Sequence, residues 1–264
     1  MKMVLYLVTA YLFLETSASA IPFQFRYAFE MQKLGGKPIN AETFFESASV
    51  AQLASASAAG NTNQIVKLVA AGADVNAVGK NGMRPLFWAL IHENVRGFRC
   101  LIELGADPGA VVGTAIPARQ SALTLAASLP DSDYLEILLK KGANPNLPAS
   151  QVAHAPIFSA IHYRRTNSIA VLLRHGADIE WKSVSGGGPL MHAIEQGNFE
   201  AALFLFRLGA DALAKGRWGY SSVDTLLKYR DNAVSSWRDR AAYKQLMKEL
   251  ERSGLLKDSG KASR

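Results

Sequence analysis

Residues 84–107, RPLFWALIHENVRGFRCLIELGAD, decide the fold of this chain. Their first part is an almost continuous apolar run, and their second part is a helix-like run that ends in Gly105-Ala106-Asp107. Glycine adopts the left-handed backbone conformation that closes a helix without steric penalty. The stretch therefore predicts two short helices, the second of which ends at the glycine.

The same ending occurs five times along the chain. The glycines are Gly72, Gly105, Gly142, Gly176 and Gly209, at intervals of 33, 37, 34 and 33 residues. An alanine precedes each glycine by 16 residues in every case, at Ala56, Ala89, Ala126, Ala160 and Ala193. The interval from each glycine to the next alanine varies from 17 to 21 residues. The constant interval predicts a packed helical hairpin of fixed length, and the variable interval predicts a loop of adjustable length between hairpins. The hairpins are expected to repeat as a solenoid.

These units resemble ankyrin repeats. The family's T-P-L-H-x-A segment corresponds to Arg84–Ala89, Ser121–Ala126, Ala155–Ala160 and Gly188–Ala193, and its G-A-D-x-N segment is fullest at Gly72–Asn76 and Gly142–Asn146. The family's histidine is replaced by Phe87, Thr124, Phe158 and Met191. The resemblance covers about residues 50 to 212, with a degenerate last unit from Ser221 to about Gly254. It implies an all-α solenoid of helix-turn-helix units with finger loops, whose role is to bind another protein.

The rest of the chain is assigned around this solenoid. Residues 21–48 are predicted to form an N-terminal cap with a helix that starts after Asn40, and residues 49–214 form the five repeats. Residues 215–254 hold the degenerate repeat and a basic cap helix, Ala233–Arg252, before a flexible tail at 255–264. The inner stripe predicted for that helix consists of Trp237, Ala241, Tyr243, Leu246, Met247 and Leu250.

The first twenty residues have the pattern of an export signal. Lys2 precedes an apolar stretch from Val4 to Leu14, and Ala18-Ser19-Ala20 supplies the small residues of a cleavage site. The alternative is an uncleaved anchor, although the apolar stretch is shorter than the roughly 20 residues that span a bilayer. We predict cleavage near Ala20 and a periplasmic or secreted mature protein without a transmembrane segment.

Composition excludes several classes of protein. The 264 residues are 49% hydrophobic, which excludes global disorder, and the single Cys100 excludes an intramolecular disulfide or a thiolate zinc cluster. The net charge of +7 lies mostly in residues 215–264, which hold 12 basic and 6 acidic side chains. Such a basic end suggests an acidic protein partner, an anionic membrane surface or nucleic acid. Predicted export and the interspersed acids argue against nucleic acid.

Catalytic motifs are absent from the sequence, and we predict no enzymatic activity, no cofactor and no metal. His92, His162 and His192 lie on the first helices of different repeats, and neighbouring repeats are about 10 Å apart, too far for a shared metal ion. An enzymatic alternative requires a hidden site that includes His162, His192 and Glu195.

Candidate protein-binding residues follow from the family's geometry, in which the first helices line a groove. They are Trp88, His92, His162, Tyr163 and His192 in the groove, and Trp181, Trp218 and Tyr220 in finger loops. Trp and Tyr concentrate binding energy because each buries a large area at a small entropic cost. A core role for Trp88 is equally compatible with the sequence. Met83, Arg84 and Arg217 are further finger residues expected to make contacts.

The function predicted from these features is a non-enzymatic, exported protein-binding module. One role for such a module is immunity, in which it binds and blocks a toxic effector that attacks the cell envelope, such as a lipase. That step rests on fold analogy alone. The alternative is a structural or stress-protection factor of the envelope, held at an anionic membrane surface by its basic C-terminal helix. The partner and the oligomeric state stay open.

Overall fold

The computed structural model describes residues 40–112, 120–148, 155–183, 186–232 and 241–256. The predicted signal segment 1–20, the cap residues 21–39, Trp237 and the tail beyond residue 256 lie outside the described residues.

The chain folds into helical hairpins, as predicted. After a short helix α1, Ala41–Phe44, the inner and outer helices of the five repeats are α2 Ala48–Ala58 and α3 Thr62–Ala70, α4 Pro85–Ile91 and α5 Val95–Glu103, α6 Ala122–Ser128 and α7 Asp133–Lys140, α8 Pro156–His162 and α9 Thr166–Arg174, and α10 Pro189–Glu195 and α11 Phe199–Arg207. Pro85, Pro156 and Pro189 occupy the first turn of their helices, where the missing N–H is not needed. The prediction of an all-α solenoid is confirmed.

Both sequence landmarks have the structural role expected of them. The glycines that end the outer helices, Gly72, Gly105, Gly142, Gly176 and Gly209, have φ values between 87° and 96°. The alanines of the inner helices, Ala56, Ala89, Ala126, Ala160 and Ala193, are all buried. Because the interval between them is constant, the helix end and the buried alanine recur at the same positions in every repeat.

Successive repeats stack in chain order. Among the inner helices, α2 packs on α4, α6 on α8, and α8 on α10, while the outer helices α3, α5, α7, α9 and α11 each contact the next in the series. Between the second and third repeats, the outer helices bring Phe98 and Tyr134 into an edge-to-face contact with ring centroids 5.1 Å apart. Both rings are buried, so the apolar core continues from one repeat to the next.

The fingers hold the variable part of the chain. The longest interval between landmarks, from Gly105 to Ala126, contains the antiparallel strands β1 Val111–Val112 and β2 Gln120–Ser121, in which Val111 faces Ser121. A residue added inside a helical hairpin would rotate its apolar face out of register, whereas a finger can lengthen with its backbone in solvent.

Caps lie at both ends of the described repeats. The side chain of Asn40 accepts the Thr43 N–H at 3.1 Å and starts α1, as predicted. At the other end, α12 Ser222–Asn232 packs against α10, and α13 Ala241–Arg252 packs against α11. Tyr243, Leu246 and Leu250 of α13 are buried and Met247 is half-buried, as the predicted stripe requires. Ala241 is exposed, contrary to prediction.

Candidate functional site

The last finger, which we define as Lys215–Ser221, is a tight hairpin that projects from the end of the fifth repeat. Its Gly216 N–H donates to the Tyr220 carbonyl at 2.9 Å, and the Gly219 N–H donates to the Gly216 carbonyl at 3.0 Å. Gly219 has φ +80°, the conformation needed after a type I turn in a three-residue hairpin loop. Lys215 and Ser221 pair across its base. Arg217 and Trp218 therefore lie at the tip of a defined turn.

The same closing hydrogen bond occurs in other fingers with different residues at the tip. In the first finger, the Gly79 N–H donates to the Met83 carbonyl at 2.7 Å, with Lys80, Asn81 and Gly82 between them. In the fourth finger, the Ser183 N–H donates to the Gly187 carbonyl at 2.9 Å. Because this hydrogen bond forms without an aromatic ring in the first finger, the Trp218 ring is not required for it.

The two aromatic rings of the last finger face solvent beside cations. Trp218 is 77% exposed and Tyr220 is 57% exposed. The Arg217 guanidinium lies 6.0 Å from the Trp218 ring centroid, and the Lys228 ammonium lies 5.8 Å from that of Tyr220. Exposed aromatic rings flanked by cations offer apolar area and positive charge to a partner in one patch.

An open cleft of about 540 Å³ lies behind this hairpin. Its apolar lining comes from Leu213, Val223, Leu227 and Leu255, and Lys215 and Asp224 are polar members of the lining. Ser221 holds Asp224, because the Ser221 N–H and hydroxyl donate to the same carboxylate oxygen at 2.8 and 2.7 Å. These two bonds keep the pKa of Asp224 below its usual range.

Sequence reasoning missed this cleft, although one substitution signals it. Four residues after the closing glycine, Asn76 and Asn146 bond to the next repeat, and the residue at the same offset from Gly209 is Leu213. Leu213 is 53% exposed, and the cleft that it lines also includes Gly254, the glycine that follows α13. An apolar side chain therefore replaces a hydrogen-bonding amide at this last position.

Trp88 belongs to the core. Its side chain is 2% exposed, its ring lies 5.4 Å from that of Phe44 in α1, and it also packs at 4.8 Å against His92. The core alternative that the sequence left open is therefore the one that the structure favours for Trp88. His92 itself is exposed at the end of α4, with its Nδ1 2.8 Å from the Trp88 carbonyl oxygen.

The remaining groove residues lie on α8 and α10. His162 is exposed and makes an edge-to-face contact with the half-buried Tyr163 at 4.9 Å. His192 is half-buried, and its ring meets that of Phe158 edge-to-face at 5.1 Å. These side chains are accessible in part, but their rings also pack within the repeats.

Other predicted finger contacts are structural. Met83 is buried, and an Arg84 guanidinium nitrogen donates to the Asn76 carbonyl at 3.0 Å, so neither side chain is offered to a partner as expected. Trp181 is half-buried against the core. Finger position alone did not reveal that Met83 is buried or that Trp181 is half-buried against the core.

Catalytic chemistry gains no support from the described residues. No group of three histidine, cysteine or acidic side chains among them is spaced to hold a metal ion. Burial raises the pKa of the Cys100 thiol, with a smaller contribution from Glu103, which makes it a poor nucleophile. Desolvation raises the pKa of Glu195, but this one perturbed carboxyl does not make a catalytic site. Within the part of the chain that the structure describes, no helix is both long and apolar enough to cross a bilayer.

Comparison with known proteins agrees with this architecture. A family model for ankyrin repeats, in three copies, matches residues 53–149 and 123–215. Over 112 residues the chain is 32% identical to Protein PhlB of Serratia liquefaciens, covering 42% of this chain and 48% of that protein. Over 145 residues it is 24% identical to the B-cell lymphoma 3 protein homolog of Mus musculus, covering 55% of this chain and 32% of that protein. The chain thus spans less than half the length of each of these relatives.

Proposed function

This chain belongs to the ankyrin-repeat family, whose repeats are protein-binding modules, and we propose that it is an exported immunity protein. In this proposal it binds and blocks a toxic enzyme that attacks the cell envelope, such as a lipase. Export is itself part of the proposal and is supported by the pattern of residues 1–20.

The observation that carries the binding role is the exposure of Trp218 and Tyr220 at the last finger. Large aromatic rings that remain in water on a finished fold are typical of contact surfaces, because a partner can bury them at little conformational cost. The repeat stack beneath them is built from buried alanines and short hairpins, so the finger is held in place before binding.

Such a module can inhibit an enzyme by binding alone, without catalysing a reaction. A stable complex covers about 800 Å² on each partner, which is enough to close the entrance to an active site or to a membrane-binding face. Arg217 and Lys228 would steer an acidic partner toward the finger, so association would be faster at low salt.

Survival of a bacterial host tests the immunity proposal. The products of the genes beside the gene for this chain are each directed to the periplasm, with and without the full chain. We expect one product to kill the host and co-expression to restore growth. The absence of a toxic neighbour, or killing that the chain does not relieve, would reject the immunity role.

Three altered chains extend this test. Trp218→Ala combined with Tyr220→Ala should reduce protection, whereas Leu147→Ala, which alters another exposed apolar side chain, should leave it intact. A chain that lacks residues 1–20 should fold but fail to protect a host whose toxin is outside the cytosol. Equal protection by the exported and unexported chains would contradict the export step.

The membrane-associated alternative depends on α13. Lys248 and Arg252 are exposed on this helix, while Tyr243, Leu246 and Leu250 attach it to the fold. Deletion of the helix would uncover the core, so charge substitution is the better test. If Lys248→Gln with Arg252→Gln abolishes binding to phosphatidylglycerol vesicles and leaves protein binding intact, the envelope-factor role replaces immunity as the explanation of the basic end.

A further inference from the structure

The last finger and the cleft behind it form one continuous surface. Lys215 and Ser221 pair across the base of the hairpin and also line the cleft. Tyr220 precedes Ser221 and lies between it and the tip. The surface thus combines a protruding ring, Trp218, with an apolar depression lined by Leu213, Val223, Leu227 and Leu255.

Positive charge surrounds this surface. Lys215, Arg217 and Lys228 are exposed around it. Two nearby carboxylates are already engaged by backbone groups: Asp224 accepts from the Ser221 N–H, and Asp211 accepts from the Leu213 N–H at 2.8 Å. Both carboxylates keep their negative charge, but the three cations outnumber them, so the surface favours an anionic ligand.

The fourth finger braces the hairpin from one side. A Cβ on Gly186 would lie 2.7 Å from the backbone nitrogen of Arg217, so the two turns touch directly. Met191 reaches Gly187 and Gly216 at the base of both fingers. A braced hairpin loses little conformational entropy on binding, which makes its exposed ring an effective anchor.

We propose that this surface binds an acidic segment of the partner protein that carries one large apolar side chain. The apolar side chain enters the cleft against Leu213 and Leu227, and flanking carboxylates pair with Lys215, Arg217 and Lys228 while Trp218 covers the segment. This inference rests on the proposed function, because it names the part of the partner that the chain recognises.

A protein segment fits the observations better than a membrane. Anionic lipid would satisfy the cations and the Trp218 ring, but a lipid surface is broad and does not fill a cleft of about 540 Å³ beside the finger. A Leu or Phe side chain at the centre of a charged loop can enter a depression of this kind together with neighbouring atoms of the segment, since hot-spot side chains insert in pockets ringed by polar contacts.

Selection from random peptides tests the composition of the ligand. The full chain is immobilised and a displayed library of random peptides of about 12 residues is selected on it. Enriched peptides should combine several Asp or Glu residues with one Leu, Phe or Trp, and their affinity should fall as NaCl rises from about 50 to about 500 mM. Enrichment without excess acidic residues, or affinity that does not depend on salt, would overturn the proposal.

Variants locate the binding site of one enriched peptide. Trp218→Ala, and separately Arg217→Gln with Lys228→Gln, should each weaken binding about tenfold or more. The matched control is Lys80→Gln at the tip of the first finger, which is closed by the same type of backbone hydrogen bond and should bind as the wild type does. Equal binding by Trp218→Ala and the wild type would place the site elsewhere and reject the proposal.

Vesicles and the survival assay separate the remaining outcomes. Phosphatidylglycerol vesicles that bind the wild type and not Trp218→Ala, with no peptide enriched, would assign the surface to a membrane and reject the proposal. Trp218-dependent peptide binding in a chain that protects no host would support the surface and reject only immunity. Protection that persists in a chain that binds no peptide would reject the surface and support immunity.

Discussion

Asn146 joins one repeat to the next by accepting the backbone N–H of Asp178 on its side-chain oxygen at 2.7 Å. Its amide nitrogen donates to the Gly176 carbonyl at 3.0 Å. Asn76 makes the same pair of bonds to Asp107 and Gly105, at 2.8 and 2.9 Å. The last residue of the G-A-D-x-N motif is therefore a bridge between repeats, anchored on the left-handed turn that ends the next outer helix.

Replacement of this bridge should loosen the boundary between the third and fourth repeats. Asn146→Ala removes two side-chain hydrogen bonds, and we expect the free energy of unfolding to fall by about 1–2 kcal/mol. Urea denaturation followed by circular dichroism measures the change. Asn167→Ala, at an exposed position on α9, is the control and should stay within about 0.5 kcal/mol of the wild type. Equal midpoints for the two variants would mean that the bridge adds no stability.

Two tryptophans should respond in opposite ways to truncation. Trp88→Ala empties a buried site between α1 and α4, and we expect the free energy of unfolding to fall by about 3–5 kcal/mol. Trp218→Ala removes a ring that is 77% exposed and should change stability by no more than about 0.5 kcal/mol. Thermal and urea unfolding give both values. A stable Trp88→Ala protein would remove Trp88 from the core and restore it as a contact residue.

Gly97 in α5 should tolerate no side chain. A Cβ at this position would overlap the Ser57 carbonyl oxygen of α2, so the two helices would have to move apart. We expect Gly97→Ala to destabilise the fold by about 1–3 kcal/mol, although alanine is normally the better residue in a helix. Gly109→Ala is the control, since its Cβ would meet only the flexible side chain of Asp107. A more stable Gly97→Ala protein would show that the helices can separate easily.

Stability in acid should depend on Glu249, which joins α13 to the fifth repeat through an ion pair with Arg207. Its carboxylate accepts from Nη2 of Arg207 at 2.6 Å and from Nε of Arg207 at 3.1 and 3.2 Å, once at each carboxylate oxygen. Arg207 first, and then Gln245, lower the pKa of Glu249 from 4.5 to about 2. Because the folded state has the lower pKa, this contribution is complete above pH 4.5 and is lost as the pH falls through 2.

The measurement is the Tm of the wild type and of Glu249→Gln at several pH values. The wild type should melt higher at neutral pH, and the difference should shrink as the pH falls from about 4.5 to about 2. Glu251→Gln, at an exposed position on the same helix, controls for the general loss of an acidic group. A difference in Tm that is unchanged at pH 2 would mean that packing, and not the ion pair, explains the effect of Glu249→Gln.

Repeat phase, helix ends and inner helices could all be predicted before any coordinates were known. Gly105 must end its helix because only a residue that adopts positive φ easily closes it there, and Ala89 must be small because helices pack over it. The candidate site was harder to predict. Trp88 and Trp218 were both predicted to contact a partner, but one is core and the other lies in solvent.

Local conformation and periodicity can be read along the chain, because neighbouring residues set the backbone angles and the apolar faces of each hairpin. Burial depends on residues that are distant in sequence: Phe44 from α1 covers Trp88, and Leu255, which follows α13, completes the cleft beside Leu213. The sequence alone therefore established a stack of helical hairpins. The tertiary packing of those hairpins and their caps decided which aromatic rings remain available to a partner.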